Sequence, residues 1–193
     1  MLRIYVDGEF FDQANAKVSV FDHGLLYGDG VFEGIRFYDW PRLSSWKSTW
    51  SGFEESARSI CLDIPLSRQE MDEALLETIR QNDLRDGYVR LIVTRGVGNL
   101  GLNPAQCKRP EHHHHRHDHR ALSGGTLRRG LTVVTVPTRR MGAATLNPAI
   151  KSLNYLNNVL ARIEANLSNA DEALMLRRRW QYRASAPPTM CSS

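Results

Sequence analysis

One lysine, Lys151, sits in the run Ile150-Lys151-Ser152-Leu153-Asn154-Tyr155-Leu156-Asn157-Asn158 with no other charged residue. A primary amine in such mostly apolar company is partly desolvated. That disfavours its ammonium form and frees it as a nucleophile for a carbonyl carbon. Most lysines stay solvated, but the residues around this one favour the chemical reading. A second candidate is Arg90, inside the apolar run Tyr88-Val89-Arg90-Leu91-Ile92-Val93-Thr94-Arg95-Gly96-Val97-Gly98. An arginine there needs a carboxylate or similar partner if buried. The tract His112–His119 could bind nickel or zinc adventitiously, or act as an internal tag. Consecutive histidines lack the converging spacing of a folded site, so no metal is assigned.

The elements that must position these residues are legible from periodicity. Leu153, Leu156, Val159, Leu160 and Ile163 recur at helical spacing and predict one buried face, with Lys151 at the mouth of that helix. Leu2–Val6 and Glu9–Phe11 read as strands around the turn signal Asp7-Gly8. Val31–Tyr38, Tyr88–Arg95, Leu131–Val136 and Glu172–Leu176 read as further strands. Phe53–Leu62 and Ser67–Asn82 read as helices, the second opening with Ser67 three residues before Glu70, a capping-box arrangement. The class is α+β, with a boundary expected near residue 128. Gly24, Gly28, Gly30 and Gly34 lack the strand–loop–helix setting of a phosphate loop. They read as close backbone approaches or positive-φ positions.

Three motifs in order carry a resemblance: Val20 through Arg36 (VFDHGLLYGDGVFEGIR), Tyr88 through Gly98, and the Lys151 run. Together they resemble the fold-type IV pyridoxal-phosphate enzymes over about four-fifths of the chain. The likeness is strongest to the branched-chain amino acid aminotransferases; D-amino acid aminotransferase and aminodeoxychorismate lyase are sister groups. The resemblance implies a small N-terminal α/β domain (1–128) followed by the first part of a larger C-terminal domain (129–193). It implies pyridoxal 5'-phosphate as cofactor, held covalently by Lys151, which would also carry the proton shift, with the cofactor as electron sink. Tyr155 matches the tyrosine beside the cofactor's phenolic oxygen. Phe32, Gly34, Tyr88 and Arg90 match substrate-pocket positions. Tyr27 and Leu102 match residues that reach into a partner subunit, implying a homodimer or higher oligomer. The substrates implied are branched-chain amino acids and 2-oxo acids.

Three blocks, 40–52, 111–125 and 177–193, depart from the family's pattern. They hold all four tryptophans and six of the seven histidines. They also hold the basic excess: Arg42 and Lys47 in the first, Arg177, Arg178, Arg179 and Arg183 in the third, with the second balanced. A reading-frame slip accounts for this as a hypothesis: tandem AUC isoleucine codons read one base out of step become CAU, histidine. Suitable codons for Leu43–Phe53 re-read as Phe-Lys-Leu-Glu-Glu-His-Val-Glu-Arg-Leu, which in the family includes a phosphate-gripping arginine. Those for Ala184–Ser193 re-read as the segment carrying the acid that protonates the pyridine nitrogen. Sequencing the locus tests the idea; codons that cannot support those frames refute it. The chain is expected to stop short of the family's usual extent, to bind cofactor weakly and to turn over slowly. The His block takes the place of an apolar strand, and imidazoles there are expected to weaken the sheet.

At 193 residues and 41% hydrophobic, the chain suits one large domain or two small ones. The formal charge of +4 is local to the off-pattern blocks, which argues against a nucleic-acid surface. Cys61, Cys107 and Cys191 have no paired spacing, as expected in a reducing cytoplasm. No run has the length of a membrane span.

Overall fold

The structure is a computed structural model that describes residues 2–38, 42–43, 46–107, 110–117, 130–177 and 182–184, with backbone only at 42, 43, 46, 47, 111–117 and 182–184. The chain divides into two compact units, 1–119 with 150–153, and 120–149 with 154–193. Lys151 therefore folds with the first unit, although it follows the expected boundary at 128 by more than twenty residues.

The first unit is a sheet with two helices on one face. β1 (Arg3–Val6) and β2 (Glu9–Asp12) form the expected hairpin, with Asp7 and Gly8 both at positive φ (47° and 98°). That geometry matches the strand twist and is cheap only for residues tolerant of the left-handed region. After the short helix α1 (His23–Tyr27) come β3 (Gly30–Tyr38), β4 (Arg42–Leu43), α2 (Trp46–Ser59), α3 (Arg68–Gln81), β5 (Gly87–Thr94) and β6 (Glu111–His117). The sheet order is β2-β1-β6-β5-β3-β4. Alternation along β3 and β5 sends Val31, Ile35, Phe37, Val89, Leu91 and Val93 to one face. There they pack against Trp50, Phe53 and Ala57 of α2 and Met71, Leu75 and Ile79 of α3. The opposite face of the same strands carries Phe32, Gly34 and Arg90.

Two expectations about the off-pattern blocks meet the structure here. α2 begins at Trp46, seven residues before the predicted Phe53, so part of block 40–52 is helical. Trp50, from that block, is buried in the core with its ring 5.8 Å from that of Phe53. The His block forms a strand, and a central one, paired to β1 and β5. Its side chains lie outside the described residues, as do those on which metal affinity at His112–His119 would rest.

The second unit holds β7 (Val133–Val136), α4 (Leu156–Leu167), β8 (Glu172–Leu176) and β9 (Tyr182–Ala184). β7 and β8 are parallel, β8 and β9 antiparallel. The predicted buried face of α4 is corrected. Leu156, Val159, Leu160 and Ile163 are 45–68% exposed, whereas Ala161 and Ala165 are fully buried against Val136, Ala173 and Met175. Alanine lets the helix backbone approach the strands closely, and so the small residues take the interface. Among the described residues, no helix is long and apolar enough to cross a membrane.

Candidate active site

Lys151 is not at a helix mouth; it lies in an extended segment beside β3, and α4 starts five residues later. Val31 and Ser152 form an antiparallel bridge. Phe32 N–H donates to the Lys151 carbonyl at 3.0 Å, and Leu153 N–H donates to the Gly30 carbonyl at 2.9 Å. β5 occupies the other side of β3 and β4 pairs only at Phe37 and Tyr38, so this side is open for the segment. From α2, the Ser56 hydroxyl accepts the Lys151 N–H at 3.2 Å and donates to the Gly52 carbonyl at 2.8 Å. Both sides of the lysine backbone are thus held.

The next donor along that edge is Gly34 N–H, which gives its bond at 2.9 Å to the side chain of its own neighbour, Glu33. The same Glu33 oxygen accepts from Lys151 Nζ at 2.5 Å. The expectation of an uncharged neighbourhood is therefore corrected: the lysine has a carboxylate partner 118 residues away in sequence. Glu33 has a side chain only 12% exposed, and Lys151 is 25% exposed, open enough to be reached by a ligand. Spacing arguments missed Glu33, because strand alternation assigns it to the apolar core face with Val31 and Ile35. The available signal was a carboxylate at a core position, which demands a partner.

Phe32 is buried beneath two cations: Arg90 Cζ lies 3.5 Å from its ring centroid and Lys151 Nζ 5.6 Å. Arg90 stands opposite Gly34 in the β3–β5 register, and Tyr88 opposite Arg36. Gly34 is glycine for a steric reason: a Cβ there would come within 2.0 Å of Tyr88 Oη and 2.5 Å of two ring carbons. The structure thus brings Lys151, Phe32, Gly34, Tyr88 and Arg90 into one group, with Glu33 added.

Tyr27 and Leu102 form a second group. The Tyr27 hydroxyl donates to the Leu100 carbonyl at 2.6 Å, tying α1 to the loop that bears Leu102. Leu25, Leu100 and Leu102 are 65–79% exposed there. Gly28 closes α1 in the left-handed conformation, φ 69°, as its position in the motif suggested. Burial, with the Asp29 carboxylate second, pushes the nearby Cys107 thiol up and keeps it protonated near neutrality. Tyr155 belongs to the second unit, as the residue preceding α4.

An aldehyde-bearing cofactor fits this group at one end: Lys151 offers a primary amine, 25% exposed, held in place by the Glu33 carboxylate. Among the described residues, none is assigned to a cofactor phosphate.

A family model described as amino-transferase class IV matches residues 30–183. The chain is 51% identical over 175 residues to the protein named "Putative branched-chain-amino-acid aminotransferase" in Methanocaldococcus jannaschii, covering 91% of this chain and 59% of that protein. It is 32% identical to D-alanine aminotransferase of Staphylococcus haemolyticus, over 92% of this chain and 61% of that one. Among solved structures, the T.th. branched-chain amino acid aminotransferase with pyridoxamine 5'-phosphate superposes with a TM-score of 0.88 at 33% identity, over 95% of this chain and 62% of that chain. The chain thus spans about three-fifths of the length of the relatives it matches. With the family model covering most of its length and the Lys151 segment inside the match, the chain belongs to the class IV aminotransferases.

Proposed function

We propose that this chain carries the lysine-bearing part of a branched-chain amino acid aminotransferase that uses pyridoxal 5'-phosphate. The reaction would move the amino group of leucine, isoleucine or valine to 2-oxoglutarate in two half-reactions. The observation that carries the reading is Lys151 Nζ at 2.5 Å from Glu33, beside the Phe32 ring that Arg90 covers. When bound, the cofactor supplies an electron sink. The chain's own residues do the rest. Lys151 holds the cofactor and moves a proton at Nζ. Phe32 gives an aliphatic side chain apolar surface, Tyr27 and Leu102 would add to it from a partner subunit, and the glycine at 34 leaves the room that Tyr88 fills. Arg90 offers a fork of donors to a carboxylate.

The domain plan that goes with this reading is a small N-terminal domain to about residue 128 and the opening part of a larger one from 129. Tyr27 and Leu102, on an exposed apolar surface, suit a homodimer or higher oligomer, and the protein is proposed to be cytoplasmic. The D-alanine aminotransferase relatives support a second reading, transfer from D-amino acids. A non-catalytic role is the third. Transamination assays on full-length protein separate them: leucine with 2-oxoglutarate, D-alanine with 2-oxoglutarate, each repeated with Lys151→Ala. Turnover of leucine that Lys151→Ala abolishes supports the proposal. Turnover of D-alanine alone selects the second reading, and turnover of neither selects the third.

A further inference from the structure

We propose that Glu33 is the positioning residue of Lys151: its carboxylate pairs with the ammonium and holds Nζ in place on the β3 edge. Three observations carry this. Oε2 lies 2.5 Å from Nζ. The same oxygen is fixed by Gly34 N–H at 2.9 Å, a rung of the β3 edge, so the carboxylate cannot swing freely. And Glu33 occupies an otherwise apolar face, 9% exposed as a residue, where an uncompensated carboxylate would be costly.

Among the described residues, Arg90 on β5 lies over the Phe32 ring and the Ser56 hydroxyl on α2 holds the Lys151 backbone N–H.

This inference rests on Lys151 being the reacting amine, but its test uses no cofactor. Amine labelling with trinitrobenzenesulfonate, resolved by peptide mass spectrometry, compares Lys151 with Lys17, an exposed lysine that serves as an internal reference. In Glu33→Gln, which keeps an acceptor for Gly34 N–H and loses the charge, the labelling profile of Lys151 is expected to move to lower pH. The Lys151-to-Lys17 ratio at neutral pH then rises about tenfold, the usual size of one close opposite charge. Glu33→Asp, which keeps the charge, is expected to retain most of the parent profile. An unchanged ratio in Glu33→Gln, or equal shifts in both variants, overturns the proposal. If Glu33→Gln does not fold, the Glu33→Gln/Lys151→Met pair decides. A double variant that folds shows that the two charges answer each other; a double variant as unstable as the single overturns the idea. If this labelling behaves as expected while the transamination assays fail, the function is refuted and the pairing stands.

Discussion

Asp29→Ala tests how the active-site edge is braced. Arg95 is 11% exposed at its side chain and makes four hydrogen bonds. Nε and Nη2 reach the two Asp29 oxygens at 2.9 and 3.0 Å; Nη1 and Nη2 reach the Cys61 and Ile60 carbonyls, just past α2, at 2.6 and 2.7 Å. The guanidinium thus satisfies carbonyls at the negative end of α2 while Asp29 balances its charge. Breaking a buried pair from one side costs about 3–5 kcal/mol. Asp29 is 24% exposed, so water screens part of this, and about 2–3 kcal/mol is the expected loss. With a urea dependence of about 2 kcal/mol/M, the midpoint falls by about 1 M. Urea unfolding followed by tryptophan fluorescence reads it directly, since Trp50 lies in the core on α2. A double-mutant cycle with Arg95→Met should show a coupling of about 1 kcal/mol or more. A midpoint shift below about 0.2 M, or strict additivity in the cycle, would refute the reasoning.

Gly52 lies inside α2 with nothing within 4 Å of where a Cβ would stand. Gly52→Ala should therefore stabilise by about 0.5–1 kcal/mol, seen as a higher thermal midpoint, and no gain would contradict the open space. Gly34→Ala must displace the Tyr88 ring, so a circular dichroism spectrum of parental shape with a changed tyrosine near-ultraviolet signal is expected. An unchanged Tyr88 signal would show that the close approach is not there. At the start of α3, Ser67 Oγ accepts from Glu70 N–H at 3.3 Å and the Glu70 carboxylate accepts from Ser67 N–H at 2.8 Å. Ser67→Ala should cost about 1 kcal/mol of unfolding free energy, measured in urea. Bonding to Ser67 holds the Glu70 carboxyl below its ordinary value. Its contribution to stability is therefore fully present above the ordinary carboxyl range and is lost as pH falls through the depressed folded value. Parent and Glu70→Gln should differ near neutrality and converge in acid; a constant gap would oppose the assignment.

Local chemistry was legible in the sequence wherever it was also the dominant force. Asp7-Gly8 made its turn, Ser67 and Glu70 made their box, and β3 and β5 followed their apolar alternation. What escaped depends on who covers a surface. The leucine periodicity of α4 is real, yet within this chain the alanine side packs, because periodicity reports that a face is apolar and not what lies against it. Lys151 was picked out by type and context, but its placement on a strand edge arises from pairing across more than a hundred residues. Glu33 escaped for the same reason, its partner being distant in the chain. The His block shows the converse: backbone pairing on both sides accommodates a central strand whose composition alone argues against one.

Covalent trapping tests most directly whether Lys151 is the amine that takes up the cofactor. Full-length protein incubated with pyridoxal 5'-phosphate, reduced with borohydride and digested should yield one dominant phosphopyridoxyl peptide containing Lys151, with an absorbance band near the visible edge that reduction removes. In Lys151→Ala both should vanish. Label spread over Lys17 and other surface lysines, or a band that persists in Lys151→Ala, would contradict it.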